Sequence, residues 1–99
     1  MANTPEGKVK KKIKQILDTH QIYHFSPYMA GMGKSGVPDI IACFKGHFLA
    51  IEAKAGNNKP TALQEREINT IKGCGGYAMV INESNLDELE ATIKQLSGE

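Results

Sequence analysis

Apolar residues recur at Val9, Ile13, Ile16 and Leu17 within residues 7 to 20, the spacing of one helical face, and lysines fill the other faces. An amphipathic first helix is expected there. Residues 22 to 26, Ile-Tyr-His-Phe-Ser, suit a short strand, and the following PYMAGMGKSGVP is too rich in proline and glycine for regular structure. Two apolar runs come next, Asp39 to Phe44 and Phe48 to Lys54, separated by Lys45-Gly46-His47 at hairpin spacing. After the polar turn AGNNKP, the residues Ala62, Leu63, Ile68 and Ile71 predict a second helix that begins after Thr61 and stops at GCGG. Tyr77 to Ile81 reads as a fourth strand. Leu86, Leu89, Ile93 and Leu96 mark a final helix, capped by Ser84 or Asn85. The predicted order is helix, three strands, helix, strand, helix, with no internal repeat or linker and with frayed ends. Both faces of the hairpin are apolar, with Ile40, Ala42, Leu49 and Ile51 on one and Ile41, Cys43, Phe48 and Ala50 on the other. A sheet covered on both sides by helices follows.

The charges in that hairpin have a pattern of their own. If the turn is the two-residue Lys45-Gly46, paired residue numbers sum to 91 and Asp39 lies opposite Glu52, with Lys54 on the same face one pleat further on. A three-residue turn would instead set Ala53 opposite Asp39. Like charges facing each other at the edge of a core destabilise a sheet, so the two-residue register calls for a compensating charge. A divalent cation supplies one, since Mg²⁺ takes one or two carboxylates and completes its shell with water and phosphate oxygens. The plainer alternative is an exposed strand end, with Lys54 as a salt-bridge partner. The chemistry that suits a cation beside a lysine is metal-assisted phosphodiester hydrolysis.

Composition adds bounds. The 99 residues amount to one domain, residues 1–99, too small to hold a separate substrate domain. Twelve basic residues nearly balance eleven acidic ones, so bulk charge does not name a partner, but distribution does more. Lys8, Lys10, Lys11, Lys12 and Lys14 crowd the first helix, while Glu83, Asp87, Glu88 and Glu90 crowd the C-terminal part. A basic side built from Lys8, Lys10, Lys11 and Lys14, joined by Lys34 and Ser35 of the glycine loop, would bind a phosphate backbone without reading sequence. Tyr28 and Met29 in the same loop are further candidates for touching DNA or a second subunit.

Cys43 and Cys74 have no metal-type spacing and are expected to be packing residues. No signal-like or membrane-length apolar run occurs, so the expectation is a cytoplasmic, reduced protein with no membrane partner. Gly33-Lys34-Ser35 invites a nucleotide-binding reading, but a phosphate loop needs a glycine at position 28, where Tyr28 stands, and a helix afterwards, where Pro38 enforces extended chain. No nucleotide cofactor is expected. Gly31, Gly33 and Gly36 would instead let the chain bend or approach phosphate closely, delivering Asp39 to the site. His20, His24 and His47 share no spacing that would make a metal site, and Tyr23, Phe25 and Phe48 are expected in the core.

Residues 36 to 54, GVPDIIACFKGHFLAIEAK, resemble the Pro-Asp…(Asp/Glu)-x-Lys signature of the restriction-endonuclease-like nucleases. In particular they are similar to the small virus-type replication-repair nuclease (VRR-NUC) domains. The resemblance extends over most of the chain and implies an α/β fold with a restriction-endonuclease-like core, in the order α-β-β-β-α-β-α, with a mixed central sheet flanked by helices. It implies that Asp39 and Glu52 ligate Mg²⁺ or Mn²⁺ together with the Ala53 carbonyl, and that Lys54 is the catalytic lysine. It also implies roles for Glu6 as a first-helix acid and for Gln64 at the start of the next helix. Each has a competing explanation: Glu6 suits the positive end of a helix dipole, and Thr61-Ala-Leu-Gln64 is a capping box. The function so implied is a metal-dependent DNA endonuclease acting on branched DNA, resolvase-like, as a homodimer in the cytoplasm of a bacterial or phage-infected cell. The rivals are a catalytically silent DNA-binding module of the same fold and an assembly protein that binds through its acidic last helix. Neither rival accounts for Asp39, Glu52 and Lys54 standing together.

Overall fold

The computed structural model describes residues 4–27 and 33–98. Tyr28, Met29 and Gly31 lie outside the described residues. Helix α1 spans Pro5–Thr19 and starts ahead of the expected boundary because Thr4 caps it, its hydroxyl accepting from the Gly7 N–H at 2.9 Å, with Pro5 in the first turn. Strands β1 (Tyr23–Phe25), β2 (Ile40–Phe44) and β3 (His47–Ala53) follow, then α2 (Ala62–Gly73), β4 (Tyr77–Ile81) and α3 (Leu86–Leu96). The element order is the predicted one. At α3 the capping expectation is met only in position: Asn85 stands at the N-cap, but its side chain accepts from the Asn82 N–H and donates to the Val80 carbonyl.

The four strands form one sheet in the order β1-β2-β3-β4. The β1/β2 and β2/β3 pairs are antiparallel and β3/β4 is parallel, which makes the sheet mixed. In the β2–β3 turn Lys45 and Gly46 both have positive φ, 51° and 83°, as a type I′ turn requires. This two-residue turn sets Phe44 against His47 and Ile40 against Ile51, the register that adds to 91.

Alternation then sorts the strands into two faces. Ile40, Ala42, Leu49, Ile51 and Ala53 pack with Val9, Ile13 and Leu17 of α1 and Leu89, Ile93 and Leu96 of α3, forming the main core. On the other face Ala50 and Ala78 pack with Ile68 of α2, bordered by Ile41, Ile71 and Val80. Helix α2 connects the adjacent parallel strands β3 and β4 and packs on them through Ile68, and among the described residues no helix covers the β1–β2 half of that face. The expected core placement of three aromatics fails there: Tyr23 is 69% exposed, and Phe25 and Phe48 are each 46% exposed. Cys43, register partner of Tyr23, is exposed on the same open face, and Cys74 is exposed at the end of α2, so neither cysteine is the packing residue expected.

Candidate active site

The I′ turn carries its register to the far end of the hairpin. One step beyond the Ile40–Ile51 pair, Asp39 meets the Glu52–Ala53 segment, and the Ala53 N–H donates to Asp39 Oδ2 at 2.9 Å. Glu52, two residues on from Ala50, therefore faces α2, inside the smaller core rather than at an exposed strand end. It is 1% exposed. The plainer reading of the acids as solvated strand-end residues is excluded for Glu52.

Three side chains surround that carboxylate. Gln64 Nε2 donates to Glu52 Oε2 at 2.9 Å, and Lys54 Nζ lies 3.6 Å from the same oxygen. Glu52 Oε1 is buried and has no hydrogen-bond partner among the described residues. Burial above all, with the neighbouring Asp39 charge second, pushes the Glu52 carboxyl up to about 7 from 4.5; Lys54 pulls the other way, and the Glu6 charge adds a smaller push. A buried carboxylate with an orphaned oxygen is costly unless a positive group meets it.

The sequence-derived residues thus largely converge. Asp39, Glu52, Lys54 and Gln64 come together, and Glu6, in the first turn of α1, is close enough for Glu52 to feel its charge. Gln64 closes the capping box and also contacts Glu52. Its Oε1 accepts from the Thr61 N–H at 2.8 Å, closing the capping box with Thr61, while its Nε2 holds Glu52. The two ends of one amide serve helix and site at once.

The lysines expected to contact DNA have different surroundings. Lys10 Nζ lies 3.5 Å from Asp39 Oδ1, so this lysine, expected on a DNA-binding face, reaches into the acid pair. Lys12 is close enough to act on Glu83, whereas Lys8 and Lys11 are exposed and Lys14 is half-buried. Lys34 pairs with Glu67 of α2 at 3.5 Å, and Ser35 is exposed beside it. Gly36, with φ of 82°, approaches protein rather than open space: a Cβ there would lie 2.6 Å from the Leu63 carbonyl oxygen, so the loop is pressed against the first turn of α2. The histidines go elsewhere, His24 Nε2 to Asp18 Oδ1 at 2.7 Å and His47 edge-on to Tyr77.

Two placements are not evident from the sequence: Lys10 at Asp39 and the near-burial of Glu67, whose partner is Lys34 rather than the acid pair. The site role of Lys10 is signalled only by its i+4 spacing from Glu6, which places both on one stripe of α1. Glu67 is nearly buried, and its signal is an acid at helical spacing between Leu63 and Ile71.

A divalent cation fits this donor set. Among the described residues Glu52 Oε1 accepts from no protein donor, Asp39 Oδ1 meets Lys10, the two carboxyls lie close enough to act on each other, and the second oxygen of each acid is held by an amide that fixes its orientation. Among the described residues no three His, Cys, Asp or Glu side chains gather as a metal cluster, and the side-chain oxygens that meet here are those of the two carboxylates. That is the oxygen-poor protein shell which Mg²⁺ completes with water and phosphate.

By sequence alone, neither a family model nor a curated protein matches the chain. By structure, it is similar to a solved VRR_NUC domain protein, with a TM-score of 0.71 and 22% identity, over 93% of this chain and 87% of that one. The fold is that of a VRR-NUC domain.

Proposed function

We propose that this protein is a divalent-metal-dependent endodeoxyribonuclease that cuts branched DNA as a homodimer, with Mg²⁺ or Mn²⁺ held by Asp39, Glu52 and the Ala53 carbonyl. The observation that carries the reading is the buried Glu52 carboxylate, restrained on one oxygen and unpartnered on the other. A silent module would keep that destabilising arrangement without use. When bound, the cation supplies Lewis-acid activation of the phosphoryl group and a lowered pKa for water.

The chain's own residues do the rest. The Ala53 N–H fixes the Asp39 carboxylate, and Gln64 fixes that of Glu52, so both acids present one oxygen in a set direction. Lys54, mostly buried beside Glu52, is placed to orient water or to stabilise the charge developing on the phosphate oxygens. Lys10 and Glu6 tune the charge around the acid pair from α1. Lys8, Lys11 and Lys14, with Lys34 and Ser35, are left to contact phosphates along the duplex.

The open half of the sheet face supports the homodimer. Tyr23, Phe25, Cys43 and Phe48 are exposed on it, bordered beside Phe48 by Lys34 and Glu67, and this apolar strip suits a second copy better than a phosphate backbone. The face ends at Asp39, so two copies joined there would set two acid pairs beside each other.

The test is cleavage of matched linear duplex, flap and four-way-junction DNA in Mg²⁺, Mn²⁺ or EDTA, comparing wild type with Glu52→Gln. Metal-dependent cutting of branched substrates that the variant loses is the expected result. Binding without cutting in every condition would return the protein to the silent-module class.

A further inference from the structure

Beyond the acid pair, on the side away from Asp39, lies a cleft of about 640 Å³ that the proposed chemistry does not use. It opens between the Ala55–Pro60 turn, the exposed flank of α2 and the end of β4. Asn57, Asn58, Asn69 and Asn82 line it, with Ile68 and Val80 among its apolar lining. Val80 is the register partner of Glu52 on the neighbouring strand, and Glu65 of the rim follows Gln64 in sequence, so the cleft adjoins the site.

Part of this amide content serves the backbone. Asn82 Nδ2 donates to the Gly56 carbonyl at 3.3 Å and its Oδ1 accepts from the Ser84 N–H and hydroxyl, while the backbone N–H of Asn58 donates to the Ala55 carbonyl in the turn. The Gly56 N–H also donates to Glu83 Oε1 at 2.9 Å, so the turn is tied at two points to the segment after β4 and forms a fixed wall. Asn69 has no such duty. It sits in the interior of α2, where asparagine is a poorer helix former than the Leu, Lys or Gln that an exposed position accepts, and it faces the cleft. Among the described residues the side chains of Asn57, Asn58 and Asn69 make no hydrogen bond to protein.

We propose that this cleft is a nucleobase subsite: it takes an unpaired base of the strand whose phosphate lies at Asp39 and Glu52, a deepening that rests on the nuclease reading. Carboxamides match the chemistry, because each offers a donor and an acceptor side by side, the pattern that pairs bidentately with a base edge. The apolar residues suit a base face. Lys59 and Glu65 balance in charge, which suits a neutral base better than a second phosphate. Extracting a base from matched duplex costs unstacking and unpairing energy, and an already unpaired base avoids that cost. The cleft therefore favours DNA with unpaired nucleotides next to the cut.

The experiment is equilibrium binding in EDTA of a fully matched duplex and of the same duplex carrying one extrahelical 2-aminopurine. Wild type is compared with Asn69→Leu and with Asn57→Ala/Asn58→Ala, folding being checked by circular dichroism. The expected result is about ten-fold tighter wild-type binding to the extrahelical base, one bidentate contact's worth. Asn69→Leu should bring that ratio close to one while leaving matched-duplex affinity unchanged. Equal wild-type affinities, or a preference that both variants keep, overturns the subsite. Preferential binding without any Mg²⁺-dependent cutting would instead overturn the nuclease reading and leave the subsite standing.

Discussion

At the scale of single residues, Glu52 couples stability to pH in a direction opposite to an ordinary surface acid. Its folded carboxyl holds its proton up to about 7, whereas the unfolded chain releases it near 4.5. Between those values the folded state binds more protons, so the Glu52 contribution is fully present below 4.5 and is lost as pH rises through about 7. Glu52→Gln keeps the shape and cannot ionise. In EDTA, its melting temperature relative to wild type should climb across that window and stay higher above it. A difference that is flat with pH would remove the buried ionisation from the account. Added Mg²⁺ should reverse the wild-type loss above pH 7, because the cation binds the deprotonated acid and only the folded chain assembles the site.

At the scale of elements, the site depends on two glycine-bearing connections that differ in kind. Gly46 and Gly36 share nearly the same φ, 83° and 82°, but a Cβ at Gly46 would meet nothing within 4 Å, while one at Gly36 would strike the Leu63 backbone. Gly46→Ala should therefore lose only about 1 kcal/mol, the left-handed penalty of an L residue. Gly36→Ala should lose more, roughly 2 to 4 kcal/mol, and should also slow cleavage by shifting the turn of α2 that carries Gln64. Urea denaturation of both variants checks this, and equal losses would show that the loop does not brace α2. The hairpin turn and the capping box were both readable beforehand, because each depends on neighbours within a few residues. The double duty of Gln64 was not, because it requires α2 to lie across β3.

At the scale of the whole molecule, the placement of α2 over β3 and β4 decides what stays uncovered. Aromatic residues in apolar strands are usually core, yet among the described residues α2, the helix on that face, reaches only the edge of Phe48 and leaves Tyr23 and Phe25 exposed. If a second copy covers that face, Tyr23→Glu/Phe48→Glu should give a monomer by light scattering under conditions where wild type is a dimer. The variant should keep its circular dichroism spectrum, since both side chains are exposed within one chain. A wild type that stays monomeric at high concentration would end the homodimer reading.

Local information in the chain was enough for the order of the seven elements, for a hairpin at Lys45-Gly46 and for the two-residue turn whose 91-sum register brings Asp39 to Glu52, while the choice of that turn over a three-residue one came from the structure. The element order and the hairpin follow from periodicity and from contacts close in sequence. Tertiary structure alone decided that Glu52 is buried with an oxygen that no described residue partners and that Lys10 reaches Asp39. It alone decided that Gly36 packs on Leu63, that the aromatics are open, and that four asparagines share one cleft. Burial and long-range charge depend on which helix covers which strand, and that is a property of the assembled layers rather than of any stretch of chain.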